Sequence, residues 1–328
     1  MRAKILVYAL TAFILTTVHV AEAQQQAKIP KIGWLGSRPA SDAAAAGKEV
    51  ISRMLRELGY IEGKNIAFEY RNTDYELDRL PALADELVRL KVDVLIAPST
   101  VEALAAKNAT STIPIVFLGG GDPVGAGLVN NLARPGKNIT GVTNIAPELA
   151  GKRLELLKET IPKLPRVAVL WDPQGPSSAL QWEESQRPAL DLGLQLYSME
   201  IRSASDFENA FKKATRRGRV ALAVTSSPLI NAYQKRITEL ATNNRLAAIY
   251  NRNDFVNNGG LMSYGPDPTD LYRRAVIYID KILKGTKPAD LPVERPTKFE
   301  FIINLKAAKQ IGLTIPPNVL ARADKVLK

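Results

Sequence analysis

A repeated order of elements constrains this chain more than any other feature of its sequence. Leu164-Pro165-Arg166-Val167-Ala168-Val169-Leu170 echoes Ile29-Pro30-Lys31-Ile32-Gly33-Trp34-Leu35; in both, a proline and a basic residue lead into an apolar run. Val220 to Thr225, ending in Ser226-Ser227-Pro228, echoes Val92 to Ala97, ending in Pro98-Ser99-Thr100. Ala247 to Tyr250 echoes Ile113 to Leu118. The offsets are all about 125–135 residues. Two copies are too few for a solenoid, so the pattern predicts two similarly ordered halves.

Within each half, short apolar runs alternate with amphipathic segments, the signature of a parallel α/β sheet. Strands are expected at Lys31 to Leu35, Ile66 to Tyr70, Val92 to Ala97 and Ile113 to Leu118. Helices are expected from about Ala43 to Leu58, ended by Gly59, from Leu80 to Leu90, and from Glu102 to Thr110. Asn138 to Asn144 and Gly260 to Gly265 are candidate inter-lobe crossovers, with a third near Lys287 to Pro296. Pro268 to Leu283 reads as a long amphipathic helix and Phe299 to Ile303 as a last strand. The expected fold is α/β, with two Rossmann-like lobes whose parallel sheets are joined by a multi-strand hinge. Residues 24–145 plus about 265–290 would form the first lobe. Residues 146–264 plus about 291–328 would form the second.

The chemistry open to such a chain is narrow. Of 328 residues none is cysteine and one is histidine, His19. Residues 1–23 read as a secretory signal: Arg2 and Lys4 form a basic start, Ile5 to Val18 an apolar run too short to span a bilayer, and Ala21-Glu22-Ala23 a cleavage site. Cleavage before Gln24 removes His19, so the mature protein has neither imidazole nor thiol. That excludes Ser-His-Asp triads, His- or Cys-ligated metals and Cys nucleophiles. No cysteine follows the cleavage point to carry a lipid anchor, so the expected location is the periplasm. Cleavage also removes Arg2, Lys4 and Glu22, lowering the formal charge of +11 by one. The basic residues are scattered, apart from Lys212-Lys213 and the 216–219 stretch, so a solvated basic surface is expected rather than a nucleic-acid site.

In open α/β sheets ligands bind beyond the carboxyl ends of the strands. With two facing sheets those ends line one cleft. The residues that follow the strands are Ser37, then Ser99 and Thr100, whose hydroxyls and free backbone N–H groups suit an anion, and then Asp122, suited to an ammonium or hydroxyl group. Gly119-Gly120-Gly121 reads as a tight loop, since neither a dinucleotide fingerprint nor a P-loop occurs. In the second half the equivalents are Trp171-Asp172, Ser226-Ser227, and Tyr250 and Asn251 with Asn253-Asp254. Asn144 and Tyr264 lie at the expected hinge. Glu183-Glu184 reads as solvated helix surface.

Several strings resemble the ABC-transporter substrate-binding family related to tryptophan/tyrosine uptake binding proteins, of the type I periplasmic-binding fold. They are Gly33-Trp34-Leu35-Gly36, Asp93-Val94-Leu95-Ile96, Asp122-Pro123-Val124-Gly125, Leu128-Val129 and Pro135-Gly136-Lys137-Asn138-Ile139-Thr140-Gly141, then Ser263-Tyr264-Gly265. The C-terminal part adds Lys281 to Gly285, Lys287 to Val293, Pro296 to Glu300 and Ile303 to Lys306. The resemblance implies a two-lobed trap that hands a small solute to an inner-membrane permease, without naming the solute and with no cofactor or metal. The expected ligand residues are Ser37, Ser99, Thr100, Asp122, Asn144, Asp172, Ser226, Tyr250, Asn251 and Tyr264. For an amino-acid solute, the first lobe's hydroxyl and N–H groups would hold the carboxylate, and Asp122 or Asp172 the ammonium. The alternatives are a sensing subunit for a receptor kinase and an enzyme built on the same two lobes.

Overall fold

A computed structural model describes residues 28–38, 44–216 and 218–328. The expected signal segment with His19, the Gln24 start, Ala43 and Arg217 lie outside the described residues.

The chain runs through β1 (Lys31–Gly36), α1 (Ala44–Glu57), β2 (Ala67–Asn72), α2 (Leu80–Arg89), β3 (Val94–Ala97), α3 (Thr100–Ala109), β4 (Ile115–Gly120) and β5 (Ile139–Thr143). These five strands form one sheet in the order β2-β1-β3-β4-β5, parallel throughout. Next come α4 (Ala150–Thr160), β6 (Arg166–Trp171), α5 (Pro176–Asp191), β7 (Gln195–Glu200), α6 (Asp206–Thr215), β8 (Ala221–Val224), α7 (Pro228–Ala232), α8 (Gln234–Asn243), β9 (Ala248–Tyr250), α9 (Asn253–Asn257) and β10 (Met262–Pro266). The last elements are α10 (Pro268–Leu283), β11 (Phe299–Asn304), α11 (Leu305–Gln310), α12 (Pro317–Leu320) and β12 (Lys325–Leu327). The second sheet is ordered β12-β11-β10-β9-β8-β6-β7. Its β7-β6-β8-β9-β10 part repeats the first sheet's order strand for strand, and β10 pairs antiparallel with β11.

The strand sequences explain this layering. Val94 to Ala97 is buried at all four positions, as a central parallel strand covered by helices on both faces must be. On one face of the first sheet Ile32, Val94, Ile96 and Val116 pack with α1 and α10. On the other, Leu35, Leu95, Ile115 and Phe117 pack with α2 and α3. The second sheet is likewise flanked by α4, α5 and α11 on one side and by α6 and α8 on the other. The edge strand β2 is only half-buried along its length. Gly119 and Gly120 are not a loop: they continue β4 across an irregularity in its pairing with β5. Gly141 on β5 sits so close to β4 that a Cβ would fall 2.2 Å from the Phe117 carbonyl oxygen.

Three connections join the sheets. The first leaves β5, the second leaves β10 for α10, and the third precedes β11. They are tied to one another: Thr143 N donates to Glu294 O (2.9 Å), Glu294 N to Gly141 O (3.0 Å) and Asp267 N to Lys298 O (3.0 Å). Arg274 of α10 donates to Asp270, Glu294 and Thr297 at 2.6–2.8 Å. Two boundaries differ from the sequence expectation. Residues 291–294 lie against the first sheet, with Leu291 and Val293 buried in its two cores. Gly265 and Pro266 end β10 in the second sheet. Leu291, Pro292, Val293, Gly265 and Pro266 have apolar side chains or none, so composition does not reveal which lobe these crossovers join.

Candidate functional site

The carboxyl ends of the two sheets face each other across a cavity of about 170 Å³, room for on the order of ten waters. The first sheet contributes Ser37 and Arg38 after β1, Ser99 to Glu102 around the start of α3, and Leu118 and Gly119 of β4. Leu271 and Tyr272 of α10 add an apolar wall, with Trp34 of β1 behind it. The second sheet contributes Gly175 to Ser177 after β6, Ser226 to Pro228 and Asn231 after β8, and Asn251 to Asn253 after β9. Pro176 and Pro228 each open a helix, where a proline's missing N–H costs nothing and its fixed φ stiffens the wall.

Six of the ten residues expected from sequence line this cavity: Ser37, Ser99, Thr100, Asn144, Ser226 and Asn251. The other four are placed elsewhere. Asp122 turns back on its own loop, accepting from Val124 N (3.1 Å) and Gly125 N (2.9 Å), and borders a smaller pocket outside. Asp172 accepts from Gln174 N (2.9 Å) in the turn before α5. In both, an Asx turn offers the carboxylate a backbone partner two residues on, and that local bond wins. Tyr250 stacks on Phe255 inside the second lobe's core, with ring centroids 4.7 Å apart. Tyr264 stacks on Phe299 and meets Phe301 edge-on across the β10–β11 pair.

The charged groups of the cavity, Arg38, Glu102 and Arg252, are not among the ten residues expected from sequence. Glu102 is 2% exposed and sits in the first turn of α3. Ser99 donates its hydroxyl to the Glu102 carboxylate. Burial pushes that carboxyl above the ordinary glutamate value, against a hydrogen bond from Ser37, its own backbone N–H and the Arg38 charge. The signal for it was Ser99-x-x-Glu102, the spacing of a capping box. On the second lobe Arg252 grips Asp254, Nη2 to Oδ2 at 2.8 Å and Nε to both oxygens at 3.0 and 3.1 Å. Asp254 also accepts from Gln234 (3.0 Å). Burial works to raise the Asp254 carboxyl, but the Arg252 charge and hydrogen bonds outweigh it and hold it at about 2. Asp254 in turn holds Arg252 above its ordinary value. Burial, then the Arg252 charge, depress Arg38.

Two residues that line the cavity, Asn251 and Asn231, each hold a buried Oδ1 with no hydrogen-bond partner among the described residues. Beneath its floor Arg153, 3% exposed, donates to Tyr264 O (2.9 Å), Ala146 O (3.1 Å) and Gln181 Oε1 (3.3 Å). One guanidinium thereby links the first crossover, β10 and α5. Burial pushes Arg153 down to about 9, so it is charged at neutral pH.

Residues 37–327 match the family model described as ABC transporter substrate binding protein. The chain belongs to that family. A curated relative, a tyrosine-binding protein of Clostridioides difficile (strain R20291), is 28% identical over 283 residues, 86% of this chain and 80% of that one. A solved ABC domain from Streptococcus pneumonia in complex with L-Trp is 27% identical, with a TM-score of 0.84 over 91% of this chain and 99% of its own. The ligand-free, open structure of a substrate-binding protein with adhesive properties from Clostridium difficile is 26% identical. Its TM-score is 0.68 over 92% of this chain and 99% of its own. This substrate-binding protein thus has the type I periplasmic-binding fold, and its family is one of binding proteins rather than enzymes. At nearly equal identity, its lobes match the ligand-bound relative better than the open one. In the same sense α3 of one lobe touches α5 of the other.

Proposed function

We propose that this protein captures an amino acid with an aromatic side chain between its lobes, in the periplasm, and delivers it to an inner-membrane ABC permease. The signal-like residues 1–23 support the location. The tyrosine-binding relative and the Trp-bound neighbour support the solute class. The observation that carries the reading is the cavity itself, walled by both lobes and lined by the hydroxyl and amide residues Ser37, Thr100, Asn144, Ser226 and Asn251. Such a wall fits a ligand that brings hydrogen-bonding groups of its own, since polar groups closed off from water without partners cost about 1–3 kcal/mol each. Leu118, Leu271 and Tyr272 offer apolar contact for the ligand's side chain. The two lobes, 28–143 with 267–294 and 147–266 with 299–328, are the units that close on it, and closure is stabilised because the ligand touches both.

A thermal-shift screen tests this. L-tryptophan, L-tyrosine, small aliphatic amino acids, sugars and aromatic acids are each added at high excess. Saturation to about 100 Kd adds about 2.7 kcal/mol to the folded state. A rise of several degrees with the aromatic amino acids is expected. A rise with sugars alone, or with nothing, refutes the reading.

A further inference from the structure

The cavity's charges are segregated in a way that goes beyond the presence of a site. The first lobe presents an acid, Glu102, at the start of α3, and a base, Arg38, after β1. The second presents Arg252, already gripped by Asp254. Arg38 makes no hydrogen bond or ion pair among the described residues; Arg252 and Asp254 of the facing lobe both act on its charge, the first against it and the second in its favour, and Glu102 lies within reach of its field. Asp254 already offsets the Arg252 charge, whereas Arg38 on the opposite wall has no hydrogen-bond acceptor among the described residues, so an anion entering the cavity meets two guanidinium groups of which one is unpaired. The α3 N-terminus, by contrast, is already answered by the Glu102 carboxylate, which takes the Ser99 and Ser37 hydroxyls and its own backbone N–H. An anionic ligand group there would face a buried acid, whereas an ammonium would be welcomed.

We infer that Arg38 and Arg252 form a two-lobe clamp for the solute's carboxylate, with the ammonium directed to Glu102. This deepens the amino-acid reading and rests on it. It reverses the orientation expected from sequence, in which the α3 N-terminus took the carboxylate. The clamp gives the solute a role in closure: its carboxylate bonds one wall through Arg38 and the other through Arg252, and planar guanidinium groups suit paired hydrogen bonds to a carboxylate. An analogue without the carboxylate offers neither guanidinium an acceptor.

The test titrates wild type and Arg38→Gln calorimetrically with L-tyrosine and L-tryptophan, their carboxyl-free counterparts tyramine and tryptamine, and aromatic acids that lack the amine. Arg38 makes no hydrogen bond or ion pair among the described residues, so Arg38→Gln breaks none of these and is expected to unfold within a few degrees of wild type. Wild type is expected to prefer each amino acid over its amine by at least a hundredfold. Arg38→Gln weakens the amino acids by at least tenfold and changes amine affinity by less than about twofold. Arg252→Lys, which keeps the charge but not the fork, shows the same selective loss. A variant that keeps the wild-type preference for acid over amine overturns the clamp while leaving the amino-acid reading intact. Wild type that binds only acids lacking the amine, with an Arg38-dependent affinity, overturns the amino-acid reading and keeps the clamp. Wild type that binds nothing in the panel overturns both.

Discussion

Gly121 is the place where one added carbon should hold the lobes apart. It follows β4 in the first lobe, and a Cβ built on it would lie 2.4 Å from Ser177 Oγ, 3.0 Å from Ser177 Cβ and 3.2 Å from Pro147 Cδ. Ser177 belongs to α5 of the second lobe. The hydroxyl can rotate away, but the Ser177 Cβ and the proline ring cannot, and ordinary contact needs 3.4–4 Å. Overpacking of this kind costs about 1–3 kcal/mol. It falls only on the closed arrangement, because opening separates Gly121 from Ser177. A ligand that needs both lobes must therefore bind about 5- to 150-fold more weakly to Gly121→Ala, at about 1.4 kcal/mol per tenfold. Ser177→Gly removes both clashing atoms of that residue, so the double variant should bind better than the two single effects predict. Calorimetry on the four proteins gives the coupling directly. Small-angle scattering should show the ligand-induced contraction of wild type reduced in Gly121→Ala. Wild-type affinity in the single variant, or simple additivity in the double, refutes the reasoning.

Glu102→Gln keeps the side chain's shape and removes its charge. It should weaken amino-acid binding about tenfold or more, since a hydrogen bond to a charged group contributes about 1.5–3 kcal/mol, and should leave acids lacking an amine unaffected. Because burial raises the Glu102 carboxyl, wild-type amino-acid affinity should fall with decreasing pH through a midpoint above the ordinary glutamate value, and Glu102→Gln should lack that step. Asp254 is held at about 2 against an ordinary 3.8, so its contribution, about 2 kcal/mol, is present above pH 3.8 and lost as pH falls through 2. The stability gap between wild type and Asp254→Asn, measured by urea unfolding, should narrow from pH 5 to pH 2; a constant gap argues against the pair. Arg153→Lys keeps the buried charge but cannot span Tyr264 O, Ala146 O and Gln181. It should cost about 2–3 kcal/mol in the same assay, and no loss would show that the fork is dispensable.

The order of strands was legible because buried parallel strands need unbroken apolar runs, and Val167 to Leu170 and Ile32 to Leu35 supply them at matching offsets. The loops that line the cavity followed from that order, since they had to leave the carboxyl ends. What each side chain does in those loops was harder to read. Asp122 and Asp172 stand at the right strand ends and still bond their own turns. Tyr250 ends β9, but its ring is directed into the packing with Phe255. Arg38 and Arg252 adjoin expected site residues in sequence, yet a lone arginine reads as a solvated one. Only the facing of two lobes, which brings residues more than 200 positions apart to one cavity, gives this pair a meaning. Glu102 was the exception, since its spacing from Ser99 was visible.

The same facing explains why the hinge is built as it is. Three connections hydrogen-bonded to one another at Gly141, Thr143, Asp267, Glu294 and Lys298 restrict the lobes to a bending motion rather than independent tumbling. Arg153 couples that hinge to the cavity wall: it holds Ala146 O and Tyr264 O on one side and Gln181 on the other, and Gln181 donates to Ser177 O and Oγ. Ser177 is also the residue that meets Gly121 when the lobes close. A wall that moved without the hinge would break these bonds and leave a buried cation less satisfied, which costs several kcal/mol. The lobe face, the crossovers and the contact that defines closure therefore move as one body. A ligand needs only to favour one arrangement of the two walls for the whole second lobe to follow.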